Sequence, residues 1–175
     1  MQQTNTNKLL LTGAPGCGKT TVIVKLAQLL NGKKIAGFHT REIRQGGQRT
    51  GFALETFSGK KTVLSSVSFK SGPRVGKYRV DLESFENLLE DITDNIKQAQ
   101  IIMIDEIGKM ECFSQKFIKM IEQIFERNIP VVATVSLKGS GLISEIKQRK
   151  DTKLINVTTG TRDELPFNIK AQLGF

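Results

Sequence analysis

Three observations predict an α/β fold in which helices flank a mainly parallel sheet. Short apolar runs alternate with amphipathic stretches, a glycine-rich turn joins the first run to the first stretch, and glycines punctuate short alternating pieces between residues 41 and 80. Alternation of apolar runs with helical patterns is typical of parallel strands joined by helices. The glycine-punctuated region indicates a small insertion of antiparallel strands and hairpins beside the main sheet.

The elements can be placed in order along the chain. The apolar runs predict strands at 8–12, 34–40, 100–105, 130–136 and 154–157, and the inserted strands are expected at 51–57 and 61–66. Helical periodicity predicts helices at 19–30, 81–97, 114–127, 142–149 and 162–172. The helix at 114–127 has the clearest pattern, because Ser114 can cap it and one stripe is apolar. The stripe consists of Phe117, Met120, Ile121, Ile124 and Phe125. We expect one domain over residues 1–175, with a polar N-terminal extension at residues 1–7.

Length, composition and charge restrict the class of protein. The 175 residues are 38% hydrophobic and 25% charged, which favours a globular chain with its own core. No apolar run approaches the roughly 20 residues that span a bilayer, and the N-terminus lacks a signal-peptide layout. Cys17 and Cys112 lie in separate segments without metal-binding spacing. We therefore expect a cytoplasmic protein without a membrane partner, and the sequence does not set its oligomeric state.

The net charge of +9 favours polyanionic partners. Nucleotides and nucleic acid both belong to this class, and the charge does not choose between them. The basic residues are dispersed, aromatic residues are few and Trp is absent, which gives little support to a platform that stacks single-stranded nucleic acid.

The strongest motif is the octapeptide GAPGCGKT at residues 13–20, which matches G-x-x-x-x-G-K-[ST] at every fixed position. An apolar strand precedes it and a helix follows, as the motif requires. Glycines let the backbone wrap around phosphate oxygens, and the helix N-terminus adds free N–H groups and partial positive charge. We expect Lys19 to reach the β- and γ-phosphates and the Thr20 hydroxyl to bind Mg²⁺.

A second motif is the apolar strand that ends in two acids, IIMIDE at residues 101–106. Ligands of open α/β sheets gather at the carboxyl ends of strands. Asp105 is therefore expected to hold Mg²⁺ through water, and Glu106 to act as the general base on an attacking water. A base of this kind favours hydrolysis over transfer to another acceptor.

With these motifs in place, the chain resembles the small nucleoside-triphosphatase family that includes thermostable bacterial and archaeal members and the human cancer-related NTPase. The resemblance runs through nearly the whole chain in family order, and the string DEIGKME is its most specific part. The blocks are GAPGCGKTT (13–21), GFHTREIR (37–44), RTGF (49–52), VGKYRV (75–80), IDEIGKMECFS (104–114), VAT (132–134) and Arg162-Asp163.

The resemblance implies a RecA-like P-loop fold and slow hydrolysis of several ribonucleoside triphosphates, including ATP and GTP. In that fold the strand at 129–136 lies between the acidic strand and the phosphate-loop strand, whereas direct pairing of 9–11 with 102–104 would favour a kinase or GTPase. The residues implied to bind nucleotide are Gly13, Ala14, Pro15, Gly16, Cys17, Gly18, Lys19, Thr20, Thr21, Ile101, Ile102, Met103, Ile104, Asp105, Glu106, Ile107 and Gly108.

Several weaker candidates and two alternative functions stay open at this point. An extra arginine often stabilises charge on the transferred phosphate. Lys109 follows the acidic strand, and Thr134 or Ser136 could end the next strand near the γ-phosphate. The candidate arginines are Arg162, Arg41, Arg44 and Arg79, with Arg162 first because it lies in a family block. His39 is assigned no catalytic role. The alternatives to a broad Mg²⁺-dependent triphosphatase are a nucleotide or small-molecule kinase and a nucleic-acid-binding ATPase switched by nucleotide. No N-K-x-D string indicates guanine specificity.

Overall fold

The computed structural model describes residues 6–175, so residues 1–5 of the expected polar extension lie outside the described part. Within residues 6–175 it contains five α-helices, and nine strands that form one sheet. The strands are β1 (Lys8–Thr12), β2 (Ile35–Gln45), β3 (Gln48–Thr56), β4 (Lys61–Ser66), β5 (Arg74–Val75), β6 (Tyr78–Val80), β7 (Ile101–Ile107), β8 (Val131–Val135) and β9 (Thr152–Asn156). The helices are α1 (Lys19–Leu29), α2 (Leu82–Ile96), α3 (Gln115–Glu126), α4 (Leu142–Gln148) and α5 (Leu165–Gln172).

The sheet confirms the predicted fold class and the predicted strand order. Its order is β5-β6-β4-β3-β2-β7-β8-β1-β9, so β8 lies between the acidic strand β7 and the phosphate-loop strand β1. Five strands, β2, β7, β8, β1 and β9, pair in parallel. The arrangement in which β1 pairs directly with β7, which would favour a kinase or GTPase, is not found.

The antiparallel part extends the same sheet beyond β2. The second strand continues five residues past the predicted end at Thr40, because residues 38–45 pair antiparallel with β3. Gly46 and Gly47 form the two-residue turn between them, and both have positive φ angles, 54° and 78°. Such a turn matches the twist of a hairpin and favours glycine at both positions. β4, β6 and β5 complete this extension.

Side-chain alternation divides the core between the two faces of the sheet. In β1, Leu9 and Leu11 pack on the side of α1 and α5, whereas Leu10 packs on the side of α2, α3 and α4. Successive strand side chains point to opposite faces, so both faces of the central strands β1, β7 and β8 are apolar. The three rings of Phe38, Phe85 and Phe117 meet on the second side, with centroids 5.5–6.3 Å apart.

The helices begin near the predicted positions. Ser114 caps α3, accepting a hydrogen bond from the N–H of Phe117 at 3.1 Å, and its five-residue apolar stripe is buried. The last helix begins at Leu165 rather than at residue 162, because residues 158–164 form turns and Pro166 occupies its first turn. Within residues 6–175, the longest apolar helical stretch falls short of what a membrane crossing needs.

Replacing Ser114 by Ala is expected to lower the free energy of unfolding by about 1–2 kcal/mol. The hydroxyl both caps α3 and donates to Glu86 at 2.8 Å. Chemical denaturation measures the loss. Ser140→Ala, at an exposed serine in the turn before α4, is the control and should stay within about 0.5 kcal/mol of the parent. Equal losses in both variants would contradict the cap.

Candidate functional site

The turn between β1 and α1 has the conformation that a phosphate loop needs. Gly16 and Gly18 have φ angles of 77° and 109°, which side chains rarely allow. The ammonium group of Lys19 crosses the loop and donates to the carbonyls of Gly13 at 3.1 Å and Ala14 at 3.4 Å. The loop therefore presents an ammonium group and the free N–H groups of a helix N-terminus to one small space, an arrangement that binds anions.

The carboxylate of Asp105 lies at the end of β7 and is 1% exposed. Thr20 donates to Oδ2 at 2.7 Å, and Thr134 donates to Oδ1 at 2.7 Å. The backbone N–H of Thr40 also donates to Oδ2 at 3.3 Å, and its hydroxyl donates to the Asp105 carbonyl. Burial raises the pKa of Asp105, and the bonds from Thr20 and Thr134 oppose that rise. The predicted residues Thr20, Asp105 and Thr134 thus meet at one point.

Glu106 follows in the chain and is held by the strand beside it. Ser136 donates to its Oε1 at 2.5 Å, and Lys147 in turn donates to the carbonyl of Ser136 at 2.5 Å. Burial raises the pKa of Glu106, whereas the Ser136 hydroxyl and the charge of Lys19 lower it. Among residues 6–175, Oε2 has no hydrogen-bond partner, so this oxygen can accept a bond from water.

A third acid, Glu111, lies beside these two and was not assigned a role from the sequence. It is 5% exposed, and burial raises its pKa to about 8, with a smaller contribution from Glu106 and Asp105. A side-chain atom placed on Gly108 would lie 3.0 Å from Glu111 Oε2 and 3.2 Å from Glu106 Oε1. Glycine at position 108 therefore allows the two carboxyl groups to approach the same space. The sequence does contain one indication that Glu111 belongs to the site, because Glu111 ends the string DEIGKME, the most specific part of the family resemblance.

These groups line one cavity of about 590 Å³. Most of the predicted nucleotide-binding residues contribute to it, and so does the candidate Lys109. The predicted residues in its lining are Gly13, Pro15, Gly16, Gly18, Lys19, Thr20, Thr21, Asp105, Glu106, Gly108 and Lys109, together with Ser136.

The remaining predicted residues lie elsewhere. Ile101, Ile102, Met103, Ile104 and Ile107 are fully buried in the core, so they hold β7 in place rather than line the cavity. Ala14 and Cys17 belong to the loop but are not among the residues that line the cavity.

The candidate arginines do not converge on Glu106. Arg41 faces Glu55 at 3.6 Å, and Arg44 binds Glu42 at 2.6 Å. Arg79 donates to the carbonyl of Gly72 at 3.0 Å. Arg162 follows β9 and packs its aliphatic chain against Gly18. Because β9 and β7 lie on opposite sides of β1 in the sheet, Arg162 sits on the side of the loop away from Glu106.

The antiparallel extension supplies a wall of the cavity that sequence reasoning missed. Its contributors are Thr40, Glu42, Arg49, Phe52, Leu64 and Val75, and Met110 and Leu137 close the opposite side. Four of these residues, Thr40, Glu42, Arg49 and Phe52, lie in the GFHTREIR and RTGF blocks. The blocks were visible in the sequence, but no local pattern shows which strand faces turn toward the phosphate loop.

A second groove, of about 650 Å³, lies between α3 and α4, away from the phosphate loop. One of its two arginines, Arg149, already binds Glu126 at 2.7 Å and Asp151 at 2.8 Å. We therefore place the candidate site in the smaller cavity, where the glycine-rich loop, the ammonium group of Lys19 and the carboxyl groups converge.

The donor set at Asp105 fits a magnesium ion. Mg²⁺ binds oxygen ligands, usually one or two protein groups together with phosphate oxygens and water. The Thr20 hydroxyl and Asp105 Oδ2 are oxygen atoms 2.7 Å apart at the edge of the phosphate loop, where both can face the same ion.

Comparison with known proteins identifies the family. The family model described as NTPase matches residues 8–170. The chain is 38% identical to the nucleoside-triphosphatase THEP1 of Thermotoga sp. (strain RQ2), covering 96% of each chain. It is 41% identical to the human cancer-related nucleoside-triphosphatase, covering 90% of this chain and 91% of that protein. The crystal structure of THEP1 from Aquifex aeolicus superposes with a TM-score of 0.88 at 39% identity, covering 96% of this chain and 99% of that one. The chain belongs to the NTPase family.

Glu111 should make the stability of this protein fall as the pH rises. A carboxyl group whose pKa is raised by folding binds its proton more tightly in the folded state. Below the ordinary pKa of 4.5, the raised pKa has no effect on the free energy of unfolding. As the pH rises from there toward about 8, the free energy of unfolding falls. Glu111→Gln should remove this part of the pH dependence, a difference of up to about 4 kcal/mol between about pH 5 and pH 9.

Denaturant unfolding at several pH values measures this difference, with Glu122→Gln, at an exposed residue of α3, as the control. Parallel stability–pH curves for the parent and Glu111→Gln would show that Glu111 does not bind its proton in the folded state.

Proposed function

We propose that this member of the NTPase family hydrolyses nucleoside triphosphates to the diphosphate and phosphate, with Mg²⁺ as cofactor and with broad tolerance of the base. The observation that carries the proposal is the convergence of Lys19, Thr20, Asp105 and Glu106 on one cavity. Phosphoryl transfer to water requires a loop that binds the phosphates, ligands for a metal ion and a base that activates the water.

Each residue has a distinct role in the proposed reaction. The loop amides and Lys19 bind the phosphates and offset the charge that develops on the leaving oxygen. Thr20 and Asp105 hold the magnesium ion, which supplies Lewis-acid polarisation of the phosphate oxygens. Glu106, with Oε1 fixed by Ser136, accepts a proton on Oε2 from the water that attacks the terminal phosphorus. The new P–O bond forms as the bond to the diphosphate breaks.

Two features support broad base tolerance and slow turnover. Arg162 lies against Gly18 on the side of the loop away from Glu106, where it can stack on a base of any identity. The other candidate arginines are engaged elsewhere, and an arginine at the transferred phosphate is worth about 10³- to 10⁵-fold in turnover. Turnover of the isolated protein is therefore expected to be slow. We also propose a cytoplasmic location, in keeping with two free thiols, Cys17 and Cys112.

Phosphate release from ATP, GTP, CTP and UTP tests the proposal. The parent protein should hydrolyse all four with Mg²⁺ and none after chelation. Glu106→Gln should lose at least about a hundredfold in turnover, as expected for removal of a general base, while it still binds nucleotide. Lys19→Ala should lose both binding and turnover.

Lys25→Ala is the matched control, because Lys25 lies on the same helix and pairs with Asp163 at 2.6 Å on the surface. Undiminished hydrolysis by Glu106→Gln would show that another group activates water. Tight nucleotide binding by the parent without any phosphate release would refute the hydrolase itself.

The charge distribution favours a second candidate, a nucleic-acid-binding triphosphatase switched by nucleotide. Lys and Arg occur along the whole chain, but the net charge is not evenly distributed: residues 41–80 contain nine Lys and Arg against two Asp and Glu, so this segment holds +7 of the net charge of +9. Eight of the nine basic residues are exposed. Concentrated positive charge attracts the phosphate backbone of nucleic acid without regard to its sequence.

If this second function holds, single-stranded RNA should bind at low salt and increase phosphate release. The logarithm of the binding constant should fall linearly with the logarithm of the salt concentration. Replacing Arg74 and Lys77 together by Gln should reduce the magnitude of this slope by about 1 to 2. Fluorescence anisotropy at several salt concentrations measures this slope. Lys138 and Lys150, replaced together outside the extension, provide the control. Absence of RNA binding at low salt would eliminate this candidate.

A further inference from the structure

The cavity extends well beyond the space that the phosphate loop borders. Its far part, here called the outer chamber, is formed by Glu42, Arg49, Phe52, Leu64 and Val75 of the antiparallel extension. Phe52 pairs with Glu42, two residues past Thr40 on β2. At about 3.3 Å per residue and 4.8 Å between strands, Phe52 lies about 7 Å along β2 and one strand away from Thr40, the residue that contacts Asp105.

A bound triphosphate leaves this chamber free. The loop holds the α- and β-phosphates, and Lys19 reaches the β- and γ-phosphates, so the terminal phosphate faces Glu106 on the β7 side. The nucleoside must then extend in the opposite direction, toward β9 and Arg162. The outer chamber lies past Glu106, on the side of the terminal phosphate, because the sheet runs from β1 through β8 and β7 to β2 and β3.

The outer chamber has one well-held guanidinium group. Arg49 donates to the hydroxyl of Tyr78 at 2.9 Å and to Glu42 at 2.8 Å, and it lies 4.9 Å above the ring of Phe52. Arg44 binds the other oxygen of Glu42. Two guanidinium groups thus share one carboxylate, which leaves positive charge to attract an anion.

The apolar part of the chamber adjoins that charge. Phe52 and Tyr78 pack edge to face with centroids 5.3 Å apart, and Leu64 and Val75 line the same space. An arginine over aromatic rings can bind an anion at its edge while a planar group stacks beside it. The backbone of Arg49 pairs with Arg44, four residues past Thr40 and about 13 Å along the strand, which places it farther from Asp105 than the backbone of Phe52.

We propose that the outer chamber binds a second small molecule, an organic phosphate with a planar ring, while the phosphate loop holds its triphosphate. This inference rests on the proposed function, which fixes the direction in which the triphosphate lies. The ligand would occupy the acceptor side of the site, with its anionic group on Arg49 and its ring against Phe52.

Isothermal titration with AMP, after the phosphate loop has been saturated with Mg²⁺ and a non-hydrolysable ATP analogue, tests the proposal. One equivalent of AMP should bind beside the analogue, and adenosine, which lacks the anionic group, should bind at least about tenfold more weakly. Arg49→Gln should weaken AMP binding about tenfold or more, since a hydrogen bond between charged groups is lost. Arg49→Lys, which keeps the charge, should retain part of the affinity.

Arg41→Gln is the matched control, because Arg41 lies on the same extension but on the opposite face of β2, toward Glu55. It should change AMP affinity less than about twofold. Equal weakening by both variants would indicate general attraction of anions and overturn the proposal. So would AMP displacing the analogue, or unchanged AMP binding in Arg49→Gln.

Phosphate release by the same variants separates this inference from the proposed function. Loss of ATP turnover by Arg49→Gln in the absence of AMP would place Arg49 at the transferred phosphate and overturn the chamber. Hydrolysis by the parent without AMP binding would reject the chamber alone. AMP binding without hydrolysis would reject the proposed reaction and leave the chamber.

Discussion

The carboxylate of Asp105 is buried among apolar strands, and hydrogen bonds from three different elements compensate for the cost of burying it. Thr20 comes from the start of α1, Thr134 from β8 and the N–H of Thr40 from β2. Loss of one partner would leave a buried acceptor unpaired, at a cost of about 1–3 kcal/mol. These bonds therefore fix the positions of the phosphate loop, β2 and β8 relative to β7. The other contacts of the site depend on these positions.

The pairing of β8 with β7 helps to explain how two successive acids, Asp105 and Glu106, can both face the cavity. Neighbouring residues of a regular strand point to opposite faces, which would separate Asp105 from Glu106. The pairing of β7 with β8 is irregular between Ile104 and Ile107, and irregularities of this kind re-aim side chains near active sites. Thr134 on β8 and Ser136, the residue that follows β8, then bind Asp105 and Glu106 respectively.

The sequence predicted those parts of the molecule that depend on local patterns or on a motif. The elements of the parallel sheet, the cap at Ser114 and the meeting of Thr20 with Asp105 follow from periodicity and from the spacing of two motifs. Arg49 and Phe52 could not be assigned in this way, because their position depends on the antiparallel register with β2, which pairs residues on separate strands. Arg162 was ranked first among the arginines for its family block, yet only the strand order shows that it lies on the far side of the loop.

The electrostatics of the cavity must accommodate a triphosphate next to three carboxyl groups. In the proposed reaction, Lys19, the loop amides and a magnesium ion near Asp105 would offset the phosphate charge, and Glu106 would have to be ionised to accept a proton. A third ionised acid at Glu111 would add repulsion to a phosphate bound beside Glu106. Burial raises the pKa of Glu111 to about 8, so the group stays largely neutral at pH 7. The 3₁₀ turn at Glu111–Phe113, which places this residue away from solvent, thus adds a carboxyl group to the cavity without adding a full negative charge at pH 7.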